Sequence, residues 1–304
     1  MSRALLAHPP ILDVGEVTVY ADGLDHPEGI TLGPDGAIWA GGEAGQLYRV
    51  DPAARELQEL GTSGGLALGV VHDARGDAYV CNPPCGGVMV FGADGRSRLY
   101  GSGAPGPVIV GPNHLVFGPG GELYVTGSGG WKQDDGLVHR ILPGGRGEVW
   151  CDRLRTCPNG VALGPNGRHL YVAMTLGPGR ISRVEILEDG SAGEVEDYAV
   201  LEGTLPDGLA FDANGDLYVV TYRPDAVYVV RAGTREVELY AYDPDGQVLA
   251  SPTNLAFGEL DGRPALFAAN IGRWHLCALP VPVGGAPLHY PDAPGLGYHQ
   301  EGTA

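Results

Sequence analysis

The feature that most constrains this chain is a motif that recurs six times, beginning at residues 28, 68, 113, 159, 207 and 253. Each copy opens with one residue, which we call its slot residue, and continues with an apolar run, a turn and a second apolar run. The four clearest copies read EGITLGPDGAIWA, NHLVFGPGGELYVT, NGVALGPNGRHLYVA and DGLAFDANGDLYVV, and the two weaker ones LGVVHDARGDAYV and TNLAFGELDGRPALFAA. A repeat of about 40–48 residues indicates one structural unit used six times.

Each copy predicts two antiparallel strands around a tight turn, because Pro-Asp-Gly, Pro-Asn-Gly, Ala-Asn-Gly and Pro-Gly-Gly supply the positive φ angles that such turns need. Two shorter alternating runs follow, as in QLYRVD and ELQEL. The sequence therefore predicts an all-β fold, a six-bladed β-propeller with four-stranded antiparallel blades. We expect residues 1–304 to form this single domain, with a strand over 16–23 completing the last blade and covering its edge.

Composition narrows the classes of partner. The formal net charge of −18 repels phosphate backbones, so no nucleic-acid partner is expected. No apolar stretch approaches the roughly 20 residues that span a bilayer, and the N-terminus lacks the apolar core of a signal peptide. We therefore expect a cytoplasmic protein without a membrane partner, as a monomer or small homo-oligomer.

The cysteines do not have the spacing of a structural zinc site. We predict reduced thiols, with a bridge between Cys81 and Cys85 as the alternative. The five are Cys81, Cys85, Cys151, Cys157 and Cys277.

The slot residues carry the chemistry. If the six copies superpose, these residues lie at equivalent places and converge on the axis of the ring. Oxygen ligands on two carboxylates and two carboxamides suit a hard divalent cation, and without one Glu28 and Asp207 would repel each other. The alternative is that Asn and Asp before Gly merely begin turns. The slot residues are Glu28, Leu68, Asn113, Asn159, Asp207 and Thr253.

Four stretches carry a family resemblance: HPEGITLGPDGAIWA, CPNGVALGPNGRHLYVAMT, LPDGLAFDANGDLYVV and SPTNLAFG. They resemble the gluconolactonase, senescence-marker-protein and luciferin-regenerating-enzyme family, from about residue 16 to residue 280. The resemblance implies that Glu28, Asn159 and Asp207 hold one divalent ion, first of all calcium, with zinc, manganese or magnesium as alternatives. It also implies that Asn113 helps to hold the substrate or a metal-bound water.

Two positions depart from the sugar-lactone members of this family. They usually have an Arg two residues before the substrate Asn and an Asp directly after it, where this chain has Gly111 and His114. The resemblance thus implies hydrolysis of a lactone or related ester by a metal-activated water, without implying a sugar substrate. Asp207 is the candidate base, and His114 competes with it.

The loops that follow the second strand of each blade are expected to line the mouth of the tunnel. Aromatic side chains there suit a substrate less polar than a sugar, and an arginine could meet a substrate carboxylate. Two alternatives stay open: a family-like enzyme with changed chemistry, such as ring opening or isomerisation of a natural-product intermediate, and a non-catalytic propeller that binds a ligand or partner. The substrate-binding candidates are Asn113, His114, Trp131, Tyr222, Arg223 and Trp274.

Overall fold

A computed structural model describes residue 6 and residues 8–92, 95–103 and 108–292. Within these residues, 24 strands form six sheets of four antiparallel strands each, arranged in a ring. The predicted six-bladed β-propeller is therefore confirmed. The ends of the predicted domain, residues 1–5, 7 and 293–304, lie outside the described residues.

The blades follow one another along the chain, each numbered here from its innermost strand outwards. Blade one has β2 (Ile30–Leu32), β3 (Ile38–Gly41), β4 (Gln46–Val50) and β5 (Leu57–Thr62); blade two β6 (Val70–His72), β7 (Ala78–Asn82), β8 (Gly87–Phe91) and β9 (Ser97–Ser102); blade three β10 (Pro112–Phe117), β11 (Leu123–Gly127), β12 (Leu137–Ile141) and β13 (Gly147–Cys151); blade four β14 (Pro158–Leu163), β15 (His169–Met174), β16 (Arg180–Ile186) and β17 (Ala192–Val200); blade five β18 (Leu205–Phe211), β19 (Leu217–Arg223), β20 (Ala226–Val230) and β21 (Val237–Tyr242); and blade six β22 (Pro252–Leu260), β23 (Arg263–Asn270), β24 (His275–Pro280) and β1 (Thr18–Ala21). Two short 3-10 turns, Val14–Glu16 and Pro83–Cys85, are the helical elements among the described residues.

Glycine makes the turns between the first two strands of a blade possible. Gly36 and Gly167 have φ angles of 79° and 67°, which residues with a Cβ adopt only with strain. They are the last residues of the Pro-Asp-Gly and Pro-Asn-Gly turns.

The N-terminal segment closes the ring. The predicted strand over 16–23 is observed as β1, which pairs antiparallel with β24, Val19 facing Cys277. Just before it, the backbone N–H of Ile11 donates to the carbonyl of Leu239 at 3.0 Å, on the outer strand of blade five. The segment therefore covers the outer edges of two neighbouring blades.

Aromatic rings pack from blade to blade in a repeated way. The aromatic residue of a second strand packs on the residue four positions after the slot residue of the next blade, so the core lies between the blades. In blade two this place is taken by His72, which contacts Trp39 of blade one with ring centroids 4.6 Å apart. The corresponding edge-to-face pairs are Tyr79–Phe117 at 5.1 Å, Tyr171–Phe211 at 4.9 Å and Tyr218–Phe257 at 5.3 Å.

Residues 284–292, which we call the far-face strap, cross the face opposite the slot residues. The strap pairs with blade five, where the N–H of Ala213 donates to the carbonyl of Gly284 at 2.8 Å. It ends on blade two, where the N–H of Ala74 donates to the carbonyl of Pro291 at 3.0 Å. Blades two and five lie opposite each other in a ring of six, so the strap passes over the axis.

Among the described residues there is no helix whose length and apolarity would let it cross a membrane. All five cysteines are free thiols, and Cys85 is the exposed one.

Candidate metal centre and its mouth

Threonine hydroxyls connect neighbouring blades at the level of the slot residues. Each hydroxyl donates to a backbone carbonyl of a slot residue, or of the residue before it, on the next blade. Such cross-blade bonds hold the starts of the inner strands in one ring. The bonds run from Thr126 to Asn159 at 2.6 Å, from Thr175 to Pro206 at 2.7 Å and from Thr253 to Glu28 at 3.0 Å.

Glycines after the slot residues let the inner strands approach closely. A Cβ at Gly29 would overlap the carbonyl of Leu68, and one at Gly160 would overlap the carbonyl of Asp207. Glycine is required at these places because a side chain would push the blades apart. The Glu-Gly, Asn-Gly and Asp-Gly pairs of the motif therefore bring the slot residues together around the axis.

Asn159 presents an unpaired oxygen. Its Nδ2 donates to the hydroxyl oxygen of Thr175 at 3.1 Å, and that hydroxyl donates its own proton to the carbonyl of Pro206. The amide must therefore direct Oδ1 elsewhere, and this buried atom has no hydrogen-bond partner among the described residues. A buried amide oxygen without a donor is costly unless a ligand satisfies it.

Glu28 and Asp207 form a pair of neighbouring carboxyl groups, the first part-buried and the second buried. Asp207 is 8% exposed; burial and then the nearby charge of Glu28 raise its pKa well above its ordinary value. Burial and then Glu43 raise the pKa of Glu28 to about 7. Neither carboxyl group receives a hydrogen bond from the described residues.

These three residues fit a hard divalent cation. A cation would offset the repulsion between Glu28 and Asp207 and give Oδ1 of Asn159 a partner, and all three supply oxygen ligands. Leu68 is an apolar slot residue beside them. The hydroxyl of Thr253 is already engaged, because it donates to the backbone carbonyl of Glu28.

Asn113 and His114 have different surroundings although they are adjacent. Asn113 is part-buried, and its backbone carbonyl accepts from Gly69 N–H at 2.8 Å. His114 is 8% exposed, and its Nδ1 accepts from Val161 N–H of blade four at 3.3 Å. Burial lowers the pKa of His114 to about 4. The imidazole thus lies between two blades as a neutral group.

The predicted rim residues are spread around the mouth. Trp131 is 65% exposed in the loop after β11. The guanidinium of Arg223 lies 4.9 Å from the ring centroid of Tyr222. Its Nη1 also donates to Asp225 and to the hydroxyl of Ser251, both at 2.7 Å. The Arg223 charge is therefore already offset by a carboxylate.

A cluster of ionisable groups that the sequence analysis did not predict lies next to Glu28. Nδ1 of His26 is 2.9 Å from a carboxylate oxygen of Asp25 and 2.8 Å from one of Glu43. The imidazole also packs on the indole of Trp274, with ring centroids 4.2 Å apart. Its signal in the sequence was the Asp-His pair shortly before Glu28, together with the acidic residue of the GGEAGQ loop.

Comparison with known proteins shows the family of the chain. The family model described as SMP-30/Gluconolactonase/LRE-like region matches residues 27–265, more than half of the chain. The chain belongs to this family. The matched region contains Glu28, Asn159 and Asp207. None of the curated protein sequences compared with it matches.

Members of this family and more distant propellers share the fold. A gluconolactonase from Xanthomonas campestris is 20% identical with a TM-score of 0.74, the match covering 88% of this chain and 89% of that one. A calcium-binding protein, regucalcin, from Agrobacterium tumefaciens is 16% identical with a TM-score of 0.76, covering 93% and 99%. A virginiamycin B lyase from Staphylococcus aureus is 18% identical with a TM-score of 0.61, covering 84% and 80%. At these identities the likeness establishes the fold.

Proposed function

We propose that this protein is a metal-dependent hydrolase that opens a small-molecule lactone or a related ester. Glu28, Asn159 and Asp207 would hold the ion, first of all calcium. The observation that carries the proposal is the combination of two neighbouring carboxyl groups without hydrogen-bond donors, one buried and one part-buried, and the unpaired Oδ1 of Asn159. Uncompensated buried charge of this kind is expensive, and a bound cation offsets it. Membership of the gluconolactonase family supports the same activity.

The ion and the side chains have separate roles in the reaction. When bound, a divalent ion supplies Lewis-acid polarisation of the substrate carbonyl. The amide of Asn113 holds the ring in place, and Asp207 accepts a proton from the attacking water. The water oxygen bonds to the carbonyl carbon, the ring carbon–oxygen bond breaks, and the proton passes to the leaving alkoxide, giving a hydroxy acid.

The position of Asp207 supports this role. Its carboxyl group is buried beside Glu28 among the slot residues, at the place where the ion and the attacking water would lie. The rival base, His114, would first have to give up the hydrogen bond from Val161 and leave its place between two blades. These contacts favour Asp207.

The test is a panel of lactones and simple esters assayed before and after exhaustive metal stripping. Calcium, zinc, manganese and magnesium are then added back separately. We expect activity to vanish with the metal and to return best with calcium. Unchanged activity in stripped protein would contradict metal dependence, and the absence of turnover with every metal and substrate would contradict hydrolysis.

A further inference from the structure

Trp274 forms one exposed apolar wall beside the metal centre. It lies in the turn between β23 and β24, where its backbone N–H donates to the carbonyl of Asn270 at 3.0 Å. Its φ angle is 59°, a left-handed conformation that is uncommon for a bulky residue. The indole is 48% exposed. A large apolar ring held open to solvent in a strained backbone is typical of a binding surface rather than of a packing residue.

The indole is fixed by the residues that precede Glu28. The ring centroids of the indole and of the His26 imidazole lie 4.2 Å apart. His26 in turn is held between the carboxylates of Asp25 and Glu43. Asp25 in turn accepts from Nε2 of Gln46 at 3.0 Å. Two carboxylates therefore hold the imidazole on which the indole packs.

The wall adjoins the candidate metal centre. His26 lies two residues before Glu28, and Glu43 is close enough to affect the carboxyl group of Glu28. The hydroxyl of Thr253 joins blade six, which carries Trp274, to the backbone of Glu28 at 3.0 Å. A substrate whose carbonyl lies at the axis can thus extend a substituent towards Trp274.

The charges of the mouth do not favour an anionic substrate. The carboxylates of Asp25 and Glu43 add negative charge around His26. Arg223 pairs with Asp225 at 2.7 Å, whereas Arg273 donates to the neutral side chain of Gln247 at 2.8 Å and keeps its charge. The mouth therefore offers no excess of positive charge to hold an anionic substituent.

A second apolar stretch lies across the mouth, in the loops that flank β10 and β11. It contains Val108 and Val110, which are 56% and 50% exposed, and Trp131. The N–H of Gly129 donates to the carbonyl of Val110 at 3.1 Å, so the two loops that carry these side chains are joined. Both sides of the mouth therefore offer apolar surface.

From this arrangement we propose that the mouth selects a neutral lactone or ester with an apolar substituent, which packs on the indole of Trp274. The proposal rests on the proposed function for its carbonyl chemistry. It makes Trp274 the specificity-determining residue, with His26 as the residue that positions it. A polyhydroxylated sugar lactone would lose the apolar contact and gain no cationic partner.

The kinetic test compares three six-membered lactones in the metal-loaded enzyme: the unsubstituted ring, its pentyl derivative and its polyhydroxylated analogue. We expect kcat/KM for the pentyl lactone to exceed that for the unsubstituted ring by about tenfold or more. Trp274→Ala should reduce this ratio about tenfold, mainly through KM, and Trp274→Phe should retain most of it. Leu187→Ala, which removes a 41%-exposed side chain at the opposite face, is the matched control and should leave the ratio unchanged.

A binding test separates this inference from the hydrolase assignment. The pentyl lactam, which resists hydrolysis, is titrated into the wild type, Trp274→Ala and Trp274→Phe by calorimetry. Tight binding that weakens about tenfold in Trp274→Ala supports the wall even if no lactone is turned over. Equal binding by the wild type and Trp274→Ala, or a preference for the polyhydroxylated lactam, overturns it even if lactones are hydrolysed.

Discussion

Asp207 lies where a negative charge is costly. It is almost fully buried, it has no hydrogen-bond donor among the described residues, and the charged group that most affects it is the carboxyl group of Glu28. A site of this kind lowers the stability of the folded chain in exchange for chemistry. The cost should be measurable in the metal-free protein.

The first prediction concerns Asp207→Asn. Because the amide carries no charge, we expect the metal-free variant to melt a few degrees higher than the metal-free wild type at neutral pH. Calcium at about 100 times its dissociation constant should stabilise the wild type by about 2.7 kcal/mol, and the variant should lose most of this shift. Melting curves with and without calcium check both effects, and lactone turnover should fall at least about a hundredfold.

The matched control is Asp212→Asn. Asp212 is also buried, but its Oδ1 accepts the backbone N–H groups of Asn214 and Asp216, both at 2.9 Å. This variant should keep the full calcium-dependent shift. If both variants lost it equally, the shift would report general damage rather than loss of a ligand.

The second prediction concerns His72, which is 1% exposed and has no hydrogen-bond partner on either ring nitrogen among the described residues. Burial lowers its pKa to about 4 from 6.5. The unfolded chain therefore binds the proton more readily, and stability is lost as pH falls from about 6.5 to about 4. His72→Phe should remove up to about 3 kcal/mol of this acid sensitivity and introduce the residue found at the equivalent Phe117.

Urea unfolding of wild type and His72→Phe at several pH values between 4 and 7 checks the second prediction. Replacement of the exposed His289 by Phe is the control and should keep the wild-type pH dependence. Parallel curves for His72→Phe and the wild type would contradict the assigned cause.

At the residue level, the sequence predicts which side chains lie near each other where the repeat gives each position a counterpart. The motif predicted that Glu28 and Asp207 would come near each other, and the effect of Glu28 on the pKa of Asp207 agrees with this. The motif could not predict the contact of Trp274 with His26, because these residues lie in different loops at opposite ends of the chain. The bond from Val161 to His114 was also hidden, since it depends on how blades three and four pack.

At the scale of elements, β1 closes the ring. It supplies the fourth strand of blade six, and the preceding residues Leu12 and Val17 pack into the core between blades five and six. An uncovered β24 would present unpaired backbone groups at a sheet edge. The ends of the chain are therefore held together by one strand pair.

The third prediction follows from this closure. Removal of residues 1–21 should lower the midpoint of thermal unfolding by about 10 °C or more and promote aggregation, because it exposes both a strand edge and apolar core. Removal of residues 1–8 alone also removes Leu6, which packs on the core between blades four and five, but it leaves β1 in place; it is the control and should have the smaller effect. Thermal scans with light scattering check both truncations. Equal midpoints for the two would show that β1 does not stabilise the ring.

The sequence predicted the strand pairs of each blade because turn chemistry and apolar alternation both indicate them. It predicted the closing strand over 16–23, whereas β1 spans Thr18–Ala21, since alternation does not mark where pairing ends. The far-face strap had no comparable signal. It is rich in Gly and Pro and makes its contacts mostly through backbone groups and Tyr290, and no local pattern reports such contacts.

At the scale of the whole molecule, the ring is tied together at two places. Threonine bonds and close-packed glycines connect the blades around the slot residues, whereas the far-face strap connects blades two and five across the opposite end. The hydroxyl of Tyr290 adds a bond to the carbonyl of Leu32 of blade one at 2.9 Å. The candidate metal centre and the far-face strap therefore lie at opposite ends of one tunnel.

The fourth prediction separates these two roles. A chain ending at Val281 loses the strap and its bonds to three blades, so its unfolding free energy should fall by several times the roughly 1 kcal/mol of a typical hydrogen bond. Its calcium affinity and kcat/KM at 25 °C should stay within about twofold of the wild type, because the strap lies at the face opposite the slot residues. A chain ending at Asp292 is the control for lost length. Urea unfolding and lactone kinetics on the same preparations decide the matter: a truncation that lost calcium affinity while keeping its stability would mean that the far end of the tunnel shapes the metal centre directly.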